Sequence, residues 1–337
     1  MSTPQGSMRA AVYTTYGPPD VVTVRDVPRP AIKPNQALVR IHAAPVTTGD
    51  ARIRAWDIPS LPISILARLM FGVFKPRKPI LGTAFAGTIE TVGDEVSGFE
   101  VGDRVFGASE NPMGAHAEFI ATDTAKHLCK IPNGLSFEQA AALPFAGSAT
   151  LYFLRDLAKV QSDQRVLIVG ASGALGISGV QYAKHIGAHV TGVCSGGNEA
   201  FVRGLGADEV IDYTRGDWTK HEAEHGRCFD VVYDTAGKTS YTRCKHLLKE
   251  RGVYIPAVMR IPELLQLVWT PLLSKRAVKS GVAFSNAEFL KTLAELADSG
   301  ATVPQIERTY PLNQIAQAHR DVDTGHRSGI IVVRMVD

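Results

Sequence analysis

The sequence predicts an α/β protein in which a doubly wound parallel sheet is joined to a β-rich, barrel-like domain. The first observation is a series of short β segments in the N-terminal third, separated by glycine and proline. The second is a change near residue 136, where "SFEQAAALPFAGSATLYFLRDLAKV" is rich in helix formers and Ser136 is a suitable N-cap. The third is the alternation of apolar strands with helical patterns from residue 165 onward, which is typical of βαβ units.

Composition and charge argue against several classes of protein. The 337 residues suffice for two domains with their own cores, and 45% hydrophobic with 20% charged residues is an ordinary globular balance. A formal net charge of +3 is too small to indicate a positively charged surface for binding nucleic acid. The longest apolar stretches contain Pro, Arg or Lys and fall short of a membrane span, and no secretory h-region is visible. We therefore expect neither a nucleic-acid partner nor a membrane partner.

The cysteines are few and widely scattered. None belongs to a CxxC pair or lies near a histidine at metal-ligand spacing. This pattern predicts free thiols in a reducing compartment, and so a cytoplasmic protein without a metal site built on cysteine. The four residues are Cys129, Cys194, Cys228 and Cys244.

Two connecting segments are unusually apolar. They are "AWDIPSLPISILARLMFGVF" at 55–74 and "IPELLQLVWTPLLSKRA" at 261–277. One interpretation is a pair of extra helices packed on the core. The other is a lid over an apolar pocket, which could also serve as a dimer contact.

A glycine-rich turn follows the apolar strand "RVLIVG" and precedes the helical stretch "ALGISGVQYAKHIG". Its A-x-G-x-x-G pattern is a variant of the dinucleotide-binding fingerprint. Gly173 would let the backbone approach a pyrophosphate, Gly176 would let helix and strand pack closely, and the helix N-terminus would attract the phosphates. The candidate cofactor-binding residues of the turn are Ser172, Gly173, Ala174, Leu175 and Gly176.

The end of the next strand indicates which dinucleotide binds. An NAD-preferring site usually places Asp or Glu there for the ribose 2′-OH, but "AHVTGVC" runs into "SGGN" without an acid. This predicts NADPH, with Ser195 and Asn198 as contacts of the 2′-phosphate and Tyr213 within reach. The alternative is that Ser195 only caps the following helix. We also assign Ala236 and Phe284 to the cofactor site.

From about residue 8 to residue 335 the sequence resembles the medium-chain dehydrogenase/reductase superfamily, and within it the zinc-free quinone oxidoreductases. The stretches that carry the resemblance are "MRAAVYTTYGPPDVV", "GTAFAGTIETVGDEVSGFEVGDRVFG", "AAALPFAGSATLYFL", the glycine turn, "GADEVIDYT" and "YPLNQIAQAHRDVDTGHRSG". The resemblance implies a GroES-like barrel domain that carries the catalytic groups, a central Rossmann domain and a C-terminal return to the barrel, with the active site in the cleft between them. We place these segments at 1–128, 129–284 and 285–337.

The residues that would bind zinc in relatives are replaced here. Matched motif by motif, the three ligand positions hold Thr47, Thr83 and Phe145, which are poor ligands or none. The region that would carry a four-cysteine zinc lobe, "ASENPMGAHAEF", has no cysteine, and we interpret its His116 as a lone core or surface histidine. We therefore expect no metal.

A site without zinc suits a conjugated substrate, because the charge that follows hydride addition needs only hydrogen bonds for its stabilisation. The sequence predicts an NADPH-dependent reductase of activated C=C bonds or quinones, with a small hydrophobic substrate. The alternatives are a metal-free alcohol or ketone oxidoreductase and a nucleotide-binding module with little turnover. The candidate catalytic residues are Thr47, Thr48 and Asp50; the alternative for Asp50 is that it only orders the loop.

Two further expectations follow from the resemblance. Many relatives have a tyrosine just after the "V-x-x-x-D" segment, but here that segment is "VTTGDARIR", in which Arg52 and Arg54 follow, so the proton donor stays open. The family usually dimerises through the last strand of the Rossmann sheet, which we assign to "AVKSGVAF" at 277–284. We therefore expect a homodimer.

Overall fold

The computed structural model describes residues 6–58, 61–109, 113–224, 226, 228–325 and 327–335. The N-terminal part is mostly β. Its strands and helices in chain order are β1 (Ser7–Tyr13), β2 (Val22–Pro28), β3 (Gln36–Val46), α1 (Thr48–Ala55), α2 (Leu61–Phe71), β4 (Ala84–Val92), β5 (Arg104–Ala108), β6 (Phe119–Asp123), α3 (Thr124–His127) and β7 (Leu128–Lys130).

The central part alternates strands and helices, as the hydrophobic pattern predicts. It consists of α4 (Phe137–Thr150), a π-helical turn (Leu151–Leu157), β8 (Arg165–Val169), α5 (Ala174–His185), β9 (His189–Cys194), α6 (Glu199–Gly204), β10 (Glu209–Asp212), α7 (Trp218–Glu224), β11 (Phe229–Asp234), α8 (Tyr241–Cys244), β12 (Leu248–Pro256), α9 (Ile261–Leu273) and β13 (Ala277–Val278). The N-cap expected at Ser136 is confirmed, because its side chain accepts a hydrogen bond from the Gln139 backbone N–H and the Gln139 side chain bonds back to the Ser136 N–H.

The six central strands form one parallel sheet in the order β10-β9-β8-β11-β12-β13. This is the strand order of a Rossmann sheet, whose direction of winding reverses between β8 and β11. The apolar side chains of β8 alternate between two cores: Val166 and Ile168 face one side of the sheet, and Leu167 and Val169 face the other. Both faces are therefore buried, and in open parallel sheets of this kind ligands bind at the carboxyl edge of the strands.

The C-terminal residues return to the N-terminal domain. They form α10 (Ala287–Asp298), β14 (Ile306–Pro311), α11 (Ile315–Asp323) and β15 (Ile330–Arg334). Strand β15 pairs antiparallel with β3, and the mixed sheet has the order β14-β15-β3-β4-β5-β7, with β6 also on β3 and β1-β2 as a separate antiparallel ribbon. The return to the barrel that the resemblance implies is thus present, and the predicted boundary at residue 128 falls at the first residue of β7.

The strand predicted at 277–284 is much shorter in the structure. Pairing with β12 stops at β13, Ala277–Val278, although this strand does lie at the edge of the sheet. The Ser280 hydroxyl donates to the Pro256 carbonyl at 2.7 Å, and a Cβ on Gly281 would lie 2.0 Å from the Tyr152 hydroxyl oxygen. After the Lys279 N–H bonds the Tyr254 carbonyl, the chain is held to β12 by the Ser280 side chain and no longer by backbone ladder bonds, so the prediction of an eight-residue strand is wrong.

Candidate active site

The glycine turn between β8 and α5 is shaped to receive a phosphate group. A Cβ on Gly176 would lie 2.1 Å from the Gly170 carbonyl oxygen, so only glycine lets the helix pack this closely on the strand end. A Cβ on Gly173 would meet only that same oxygen, at 3.5 Å, and the space beyond it is open. Gly173 is the N-cap of α5 and supplies no side-chain cap, which leaves the first N–H groups of the helix available to an anion. The turn therefore fits a pyrophosphate.

Three predicted cofactor residues meet beside this turn. The Asn198 side-chain amide donates to the Ser172 hydroxyl at 3.2 Å and to the Ser195 hydroxyl at 3.3 Å. Its carbonyl oxygen accepts a hydrogen bond from the Ser328 hydroxyl at 2.6 Å. Ser195 makes no capping bond to the helical turn that follows it, so the capping alternative is not realised. This cluster of hydroxyl and amide groups lies at the position where the sequence predicts that the adenosine ribose of the cofactor binds.

An acidic residue that the sequence analysis did not weigh lies close to this cluster. A Cβ on Gly196 would be only 2.5 Å from a carboxylate oxygen of Asp212, at the end of β10. Hydrogen bonds from the Thr214 side chain and backbone, with a further one from the Gly196 N–H, hold the pKa of Asp212 below its usual range. The guanidinium of Arg215 lies 3.2 Å from the same carboxylate, so its negative charge is partly balanced. The adjacent Tyr213 is 45% exposed.

The two remaining cofactor candidates differ in position. Ala236 lies in the turn after β11, where a Cβ on Gly170 would be 3.0 Å from its own Cβ. The turn is held by the buried Asp234, which accepts hydrogen bonds from the backbone N–H groups of Ala236 and Gly237 at 3.2 and 2.8 Å. Ala236 is therefore next to the glycine turn. Phe284 is 62% exposed in the segment between β13 and α10, and its role stays a prediction.

A narrow cavity separates the start of α5 from the barrel domain. Ala174 borders it on one side, and Thr47, Thr48 and Phe145 border it on the other. The Arg327 side chain, from the segment before β15, completes its polar lining. The other lining residues are apolar: Pro45, Val46, Ala142, Ala146 and Ile330. The cavity is small, about 10 Å³ or the room of one water molecule, but it brings a few polar groups together in a largely apolar surrounding next to the glycine turn.

Thr47 and Asp50 bond chiefly to each other. The Asp50 carboxylate accepts from the Thr47 N–H at 2.8 Å and from the Thr47 hydroxyl at 2.6 Å, and the hydroxyl accepts from the Asp50 N–H at 3.1 Å. The second carboxylate oxygen accepts from the Gly82 N–H at 2.9 Å. Asp50 is 1% exposed, so its bonding capacity is taken up by the loop. This geometry favours the loop-ordering alternative over a direct catalytic role for Asp50.

Thr48 is bonded differently. Its hydroxyl oxygen accepts a hydrogen bond from the Arg327 guanidinium at 2.7 Å, although 279 positions separate the two residues. Among the described residues, no acceptor bonds the Thr48 hydroxyl proton, which leaves it available to a molecule in the cavity. Burial lowers the pKa of Arg327, while the more distant carboxylates of Glu307 and Asp323 raise it. Of the three candidate catalytic residues, Thr48 has the geometry of a donor.

The two arginines in place of the family's tyrosine have separate surroundings. Arg54 is buried and structural: it bonds the Asp323 carboxylate at 2.6 Å and the Gly17 carbonyl at 3.1 Å. Arg52 lies one helical turn beyond Thr48 and is half-buried. Its pKa is lowered by burial, raised by Asp57 and lowered by the positive charge of Arg260 from the other side of the cleft.

The positions that correspond to zinc ligands have no ligand chemistry. A Cβ on Gly49 would lie 3.3 Å from the Thr47 hydroxyl and 3.6 Å from the Phe145 ring, so both of these side chains lie next to Gly49. The buried His116 uses Nε2 to bond the Pro45 carbonyl at 3.0 Å. Within the described part of the chain, no group of three His, Cys, Asp or Glu residues could hold a metal ion, and the four cysteines are free.

Sequence reasoning missed Arg327, Ser328 and Arg215. Arg327 and Ser328 lie in "GHRSG", part of a stretch that carries the family resemblance, and the glycines at its ends adopt φ values of +70° and +153°. A short loop between glycines that precedes a buried strand is a signal for residues held at a site. Arg215 lies two residues after Tyr213 and could have been found by extending the search beyond the β9 end.

Comparisons with known proteins identify the family to which both parts of the chain are similar. The alcohol dehydrogenase GroES-like domain matches residues 33–153, and the zinc-binding dehydrogenase family matches residues 205–333. The quinone oxidoreductase of Sus scrofa is 31% identical over 336 residues, covering 96% of this chain and 96% of that protein. The NAD(P)H oxidoreductase RTN4IP1, mitochondrial, of Mus musculus is 29% identical, covering 98% and 89%. The structure of the quinone oxidoreductase from Coxiella burnetii aligns with a TM-score of 0.85 and 27% identity, covering 98% and 99%.

Proposed function

The chain belongs to the medium-chain dehydrogenase/reductase superfamily, in its quinone oxidoreductase-like branch, and from this premise we propose that it reduces activated C=C bonds or quinones with NADPH and without zinc. Membership makes it an NAD(P)H-dependent oxidoreductase. The choice of NADPH, the independence from metal and the substrate class are our proposal.

The observation that carries the proposal is the convergence of Thr48 and Arg327 on the small cavity beside Ala174. The lining of this cavity is mostly apolar, and the cavity adjoins the glycine turn. Its polar lining consists of the hydrogen-bonded pair Thr48 and Arg327 and of Thr47, the N-cap of α1. A bound reduced nicotinamide supplies a hydride to an electrophilic carbon. For a conjugated carbonyl or quinone the negative charge then develops on an oxygen, which a hydrogen-bond donor can stabilise.

Thr48 supplies that donor in our proposal. Because its oxygen already accepts from Arg327 at 2.7 Å, its own proton points to another acceptor, and the guanidinium charge makes the hydroxyl a stronger donor. Thr47 and Asp50 act as positioning residues, since their mutual bonds fix the N-terminus of α1 on which Thr48 stands. We thereby assign to Thr48 alone the direct role that the sequence analysis spread over three residues.

The proposed preference for NADPH rests on the groups near the end of β9. Ser195 and Asn198 offer neutral hydrogen-bond partners, and no acidic side chain belongs to the strand end itself. The nearby Asp212 is already bonded by Thr214 and neighboured by Arg215, whose exposed guanidinium is available to a 2′-phosphate. In this proposal Ser172 to Gly176 hold the pyrophosphate, and Ala236 borders the cofactor at the β11 end.

Independence from zinc is proposed on the chemistry of the donor set. A catalytic zinc site needs three protein ligands, commonly Cys, His, Asp or Glu, and the corresponding positions here are two threonines and a phenylalanine. These residues do not fit zinc, although one matching family model carries the name zinc-binding dehydrogenase. The mechanism proposed above therefore uses no metal. We expect elemental analysis to find zinc below one equivalent and turnover to survive a chelator; one tightly bound equivalent that turnover requires would contradict the proposal.

The reaction itself is tested by NADPH consumption with a panel of enones, quinones, ketones and alcohols. With 4-deuterated NADPH and an enone, we expect the label at the β-carbon. Label at a carbonyl carbon would support the metal-free alcohol or ketone oxidoreductase instead. No oxidation of NADPH across the whole panel would leave the proposed substrate class without support.

The role of Thr48 is tested by a matched pair of variants. Thr48→Val should lower kcat about ten- to a hundredfold, because the donor to the substrate oxygen is lost while the shape of the cavity is kept. Thr48→Ser keeps the hydroxyl and should retain most of the activity. Equal activity in the two variants would show that this hydroxyl does not touch the reacting atoms.

We also propose that the protein is a homodimer that pairs through the edge strand β13. Because only Ala277–Val278 pairs within the sheet, this contact would depend on the segment that follows as well. Sedimentation at micromolar concentration tests the proposal, and a monomer throughout that range would contradict it.

A further inference from the structure

The polar residues of helix α1 lie on two sides of it. Successive residues of an α-helix are about 100° apart, so Thr48 and Arg52 differ by about 40° and share one side. Asp50 and Arg54 lie on the side that faces the barrel core, and each is 1% exposed. Because Thr48 borders the cavity beside Ala174, Arg52 lies on the cavity side of the helix, one turn along from the Thr48 hydroxyl.

The two arginines of α1 differ in their partners. Arg54 bonds the Asp323 carboxylate at 2.6 Å and the Gly17 carbonyl at 3.1 Å. Arg52 is partly buried, but among the described residues no acceptor bonds its guanidinium and no carboxylate lies within ion-pair distance of it. A guanidinium has several N–H donors, and burying them without acceptors is unfavourable. The donors of Arg52 are therefore available to a ligand.

Arg260 brings a second positive group from the other domain. Its guanidinium donates to the carbonyl of Gly237 in the turn after β11, the same turn that places Ala236 next to the glycine turn. Arg260 thus stands at the carboxyl edge of the parallel sheet. The pKa of Arg52 is lowered by burial, raised by Asp57 and lowered by the charge of Arg260, which agrees with a position of Arg52 facing that edge.

The acidic groups of this region leave the donors of Arg52 unused. Glu263 is buried and accepts a hydrogen bond from the backbone N–H of Arg260 at 3.2 Å. Asp57 is exposed, where water and salt screen its charge, and it makes no ion pair with Arg52. An anionic ligand therefore meets N–H groups that neither carboxylate occupies.

The spacing of Thr48 and Arg52 fits one small molecule. Residues four apart on a helix have Cβ atoms about 5–6 Å apart. A carbonyl oxygen bonded to the Thr48 hydroxyl and an anion bonded to Arg52 are then separated by only a few covalent bonds. The planar fork of a guanidinium matches two oxygens of a carboxylate or a phosphate. The same substrate can therefore meet both residues.

We propose that the substrate is a conjugated carbonyl compound that also carries a carboxylate or phosphate group, and that Arg52 binds this anion while Arg260 adds to the attraction. The inference rests on the proposed function and names its substrate class more closely. Thr48 keeps the role of donor to the reacting oxygen, and the apolar lining of the cavity adjoins the uncharged part of the substrate. Arg52 is then a specificity-determining residue.

The proposal adds a charged group to the small hydrophobic substrate that the sequence predicts. The sequence "ARIR" does not reveal which of its two arginines has a carboxylate partner, because that depends on Asp323, far along the chain. The expectation of no membrane partner stays a prediction, and among the described residues no helix is long and apolar enough to cross a bilayer.

A matched pair of enones tests the proposal on the unmodified protein. The pair is 4-oxohept-5-enoate and its methyl ester, in which two methylene groups separate the charge from the conjugated carbonyl. With NADPH, kcat/KM should be about tenfold or more higher for the acid, and the preference should shrink at high salt. Equal values, or a preference for the ester, would overturn the proposal. A phosphonate in place of the carboxylate distinguishes the two anions, and a preference for either over the ester supports it.

Variants then assign the preference to Arg52. Arg52→Gln should lower kcat/KM for the acid about tenfold or more, chiefly through KM, and that for the ester much less. Arg52→Lys keeps the charge and should keep part of the preference, and Arg25→Gln, at an exposed arginine on β2, is the matched control. An equal loss for acid and ester in Arg52→Gln would overturn the proposal, and so would a comparable loss of NADPH affinity.

Binding of the saturated acid separates this inference from the proposed function. Isothermal titration of the NADP⁺ complex should show 4-oxoheptanoate binding about tenfold or more tighter than its methyl ester, and Arg52→Gln should remove the difference. This result without NADPH oxidation by any enone would contradict the proposed function and support the anion site. Turnover of neutral enones without any such difference in binding would support the proposed function and overturn the anion site.

Discussion

The glycine turn and the N-terminus of α1 lie on opposite sides of one cavity, and they use their polar groups in opposite ways. At the turn the N–H groups of α5 are left without a side-chain cap. At α1 the carboxylate of Asp50 and the hydroxyl of Thr47 satisfy each other and the backbone. The N–H groups at the glycine turn are therefore available to bind an anion, whereas the polar groups at the N-terminus of α1 are already hydrogen-bonded to one another. The difference teaches that the type of a polar residue does not reveal whether its hydrogen bonds are already used.

The largest effect, a loss of stability, is expected at Gly176, where helix α5 packs on the end of strand β8. Gly176→Val would place a side chain 2.1 Å from the Gly170 carbonyl oxygen and 2.6 Å from Ala171, so α5 must move away from β8. We expect the free energy of unfolding to fall by about 3 kcal/mol or more. Urea denaturation measures this, and a variant as stable as the original would show that the helix can shift without cost.

The neighbouring glycine should separate binding from folding. At Gly173 the backbone has an ordinary φ of −81° and the added Cβ meets only one atom, at 3.5 Å, so Gly173→Val should fold normally. Its side chain would fill the space that a pyrophosphate needs, and we expect NADPH affinity to fall about a hundredfold, or about 2.7 kcal/mol. Fluorescence titration measures the affinity, with Gly173→Ala as the milder control. Unchanged binding by the valine variant would remove the glycine turn from the cofactor site.

On the other side of the cavity, Asp50→Ala should act first on stability. It removes the acceptor of the Thr47 N–H and hydroxyl and of the Gly82 N–H and leaves buried donors unpaired, at a cost of about 2–3 kcal/mol. Activity should fall together with stability, because the hydrogen bonds between Thr47 and Asp50 that hold Thr48 in position are lost. Asp50→Asn keeps a carbonyl acceptor and should recover part of the stability. If Asp50→Ala abolished turnover without any change in the urea midpoint, the residue would be catalytic after all.

A smaller effect is expected at the ribose end of the crevice. Arg215→Ser removes the exposed guanidinium beside Asp212 and should weaken NADPH about threefold to tenfold while leaving NADH nearly unchanged. Titration with both cofactors measures the ratio, and Arg25→Ser, at an exposed arginine on β2, is the control. Equal loss for both cofactors would show that Arg215 does not recognise a 2′-phosphate.

The smallest effect concerns His319, a buried residue of α11. Burial, together with smaller contributions from His116 and Arg54, lowers the pKa of His319 to about 2. The folded protein thus keeps this ring neutral, whereas the unfolded chain binds a proton below about pH 6.5. The contribution of His319 to stability is complete above that pH and is lost as the pH falls, by about 1 kcal/mol at pH 5.5. His319→Gln should flatten the dependence of the urea midpoint between pH 7.5 and 5.5, and the exposed His189→Gln should not.

The comparison also separates what could be predicted from what could not. The turn from Ser172 to Gly176 was predictable because the requirement for glycine arises within a few residues, and the structure brings Ser195, Asn198 and Ala236 beside it. Thr47, Thr48 and Asp50 were predicted as candidates, but the two threonines differ in bonding although their residue type is the same. That difference depends on Arg327 and Gly82, which approach from distant parts of the chain. The length of β13 was mispredicted because Tyr152 and Pro256 decide where the strand ends.

The sequence by itself determined the parallel-sheet domain, its glycine turn and the replacement of the zinc ligands. Alternating hydrophobicity, a glycine spacing and the identity of three residues are local properties that need no partner. Only the tertiary structure decided which hydroxyl keeps a proton without an acceptor among the described residues, and which arginine enters the cavity. These depend on contacts such as that between Thr48 and Arg327, where a hydrogen bond joins residues 279 positions apart. Nothing in the local sequence at either residue specifies such a contact, because it forms only when β15 returns to β3.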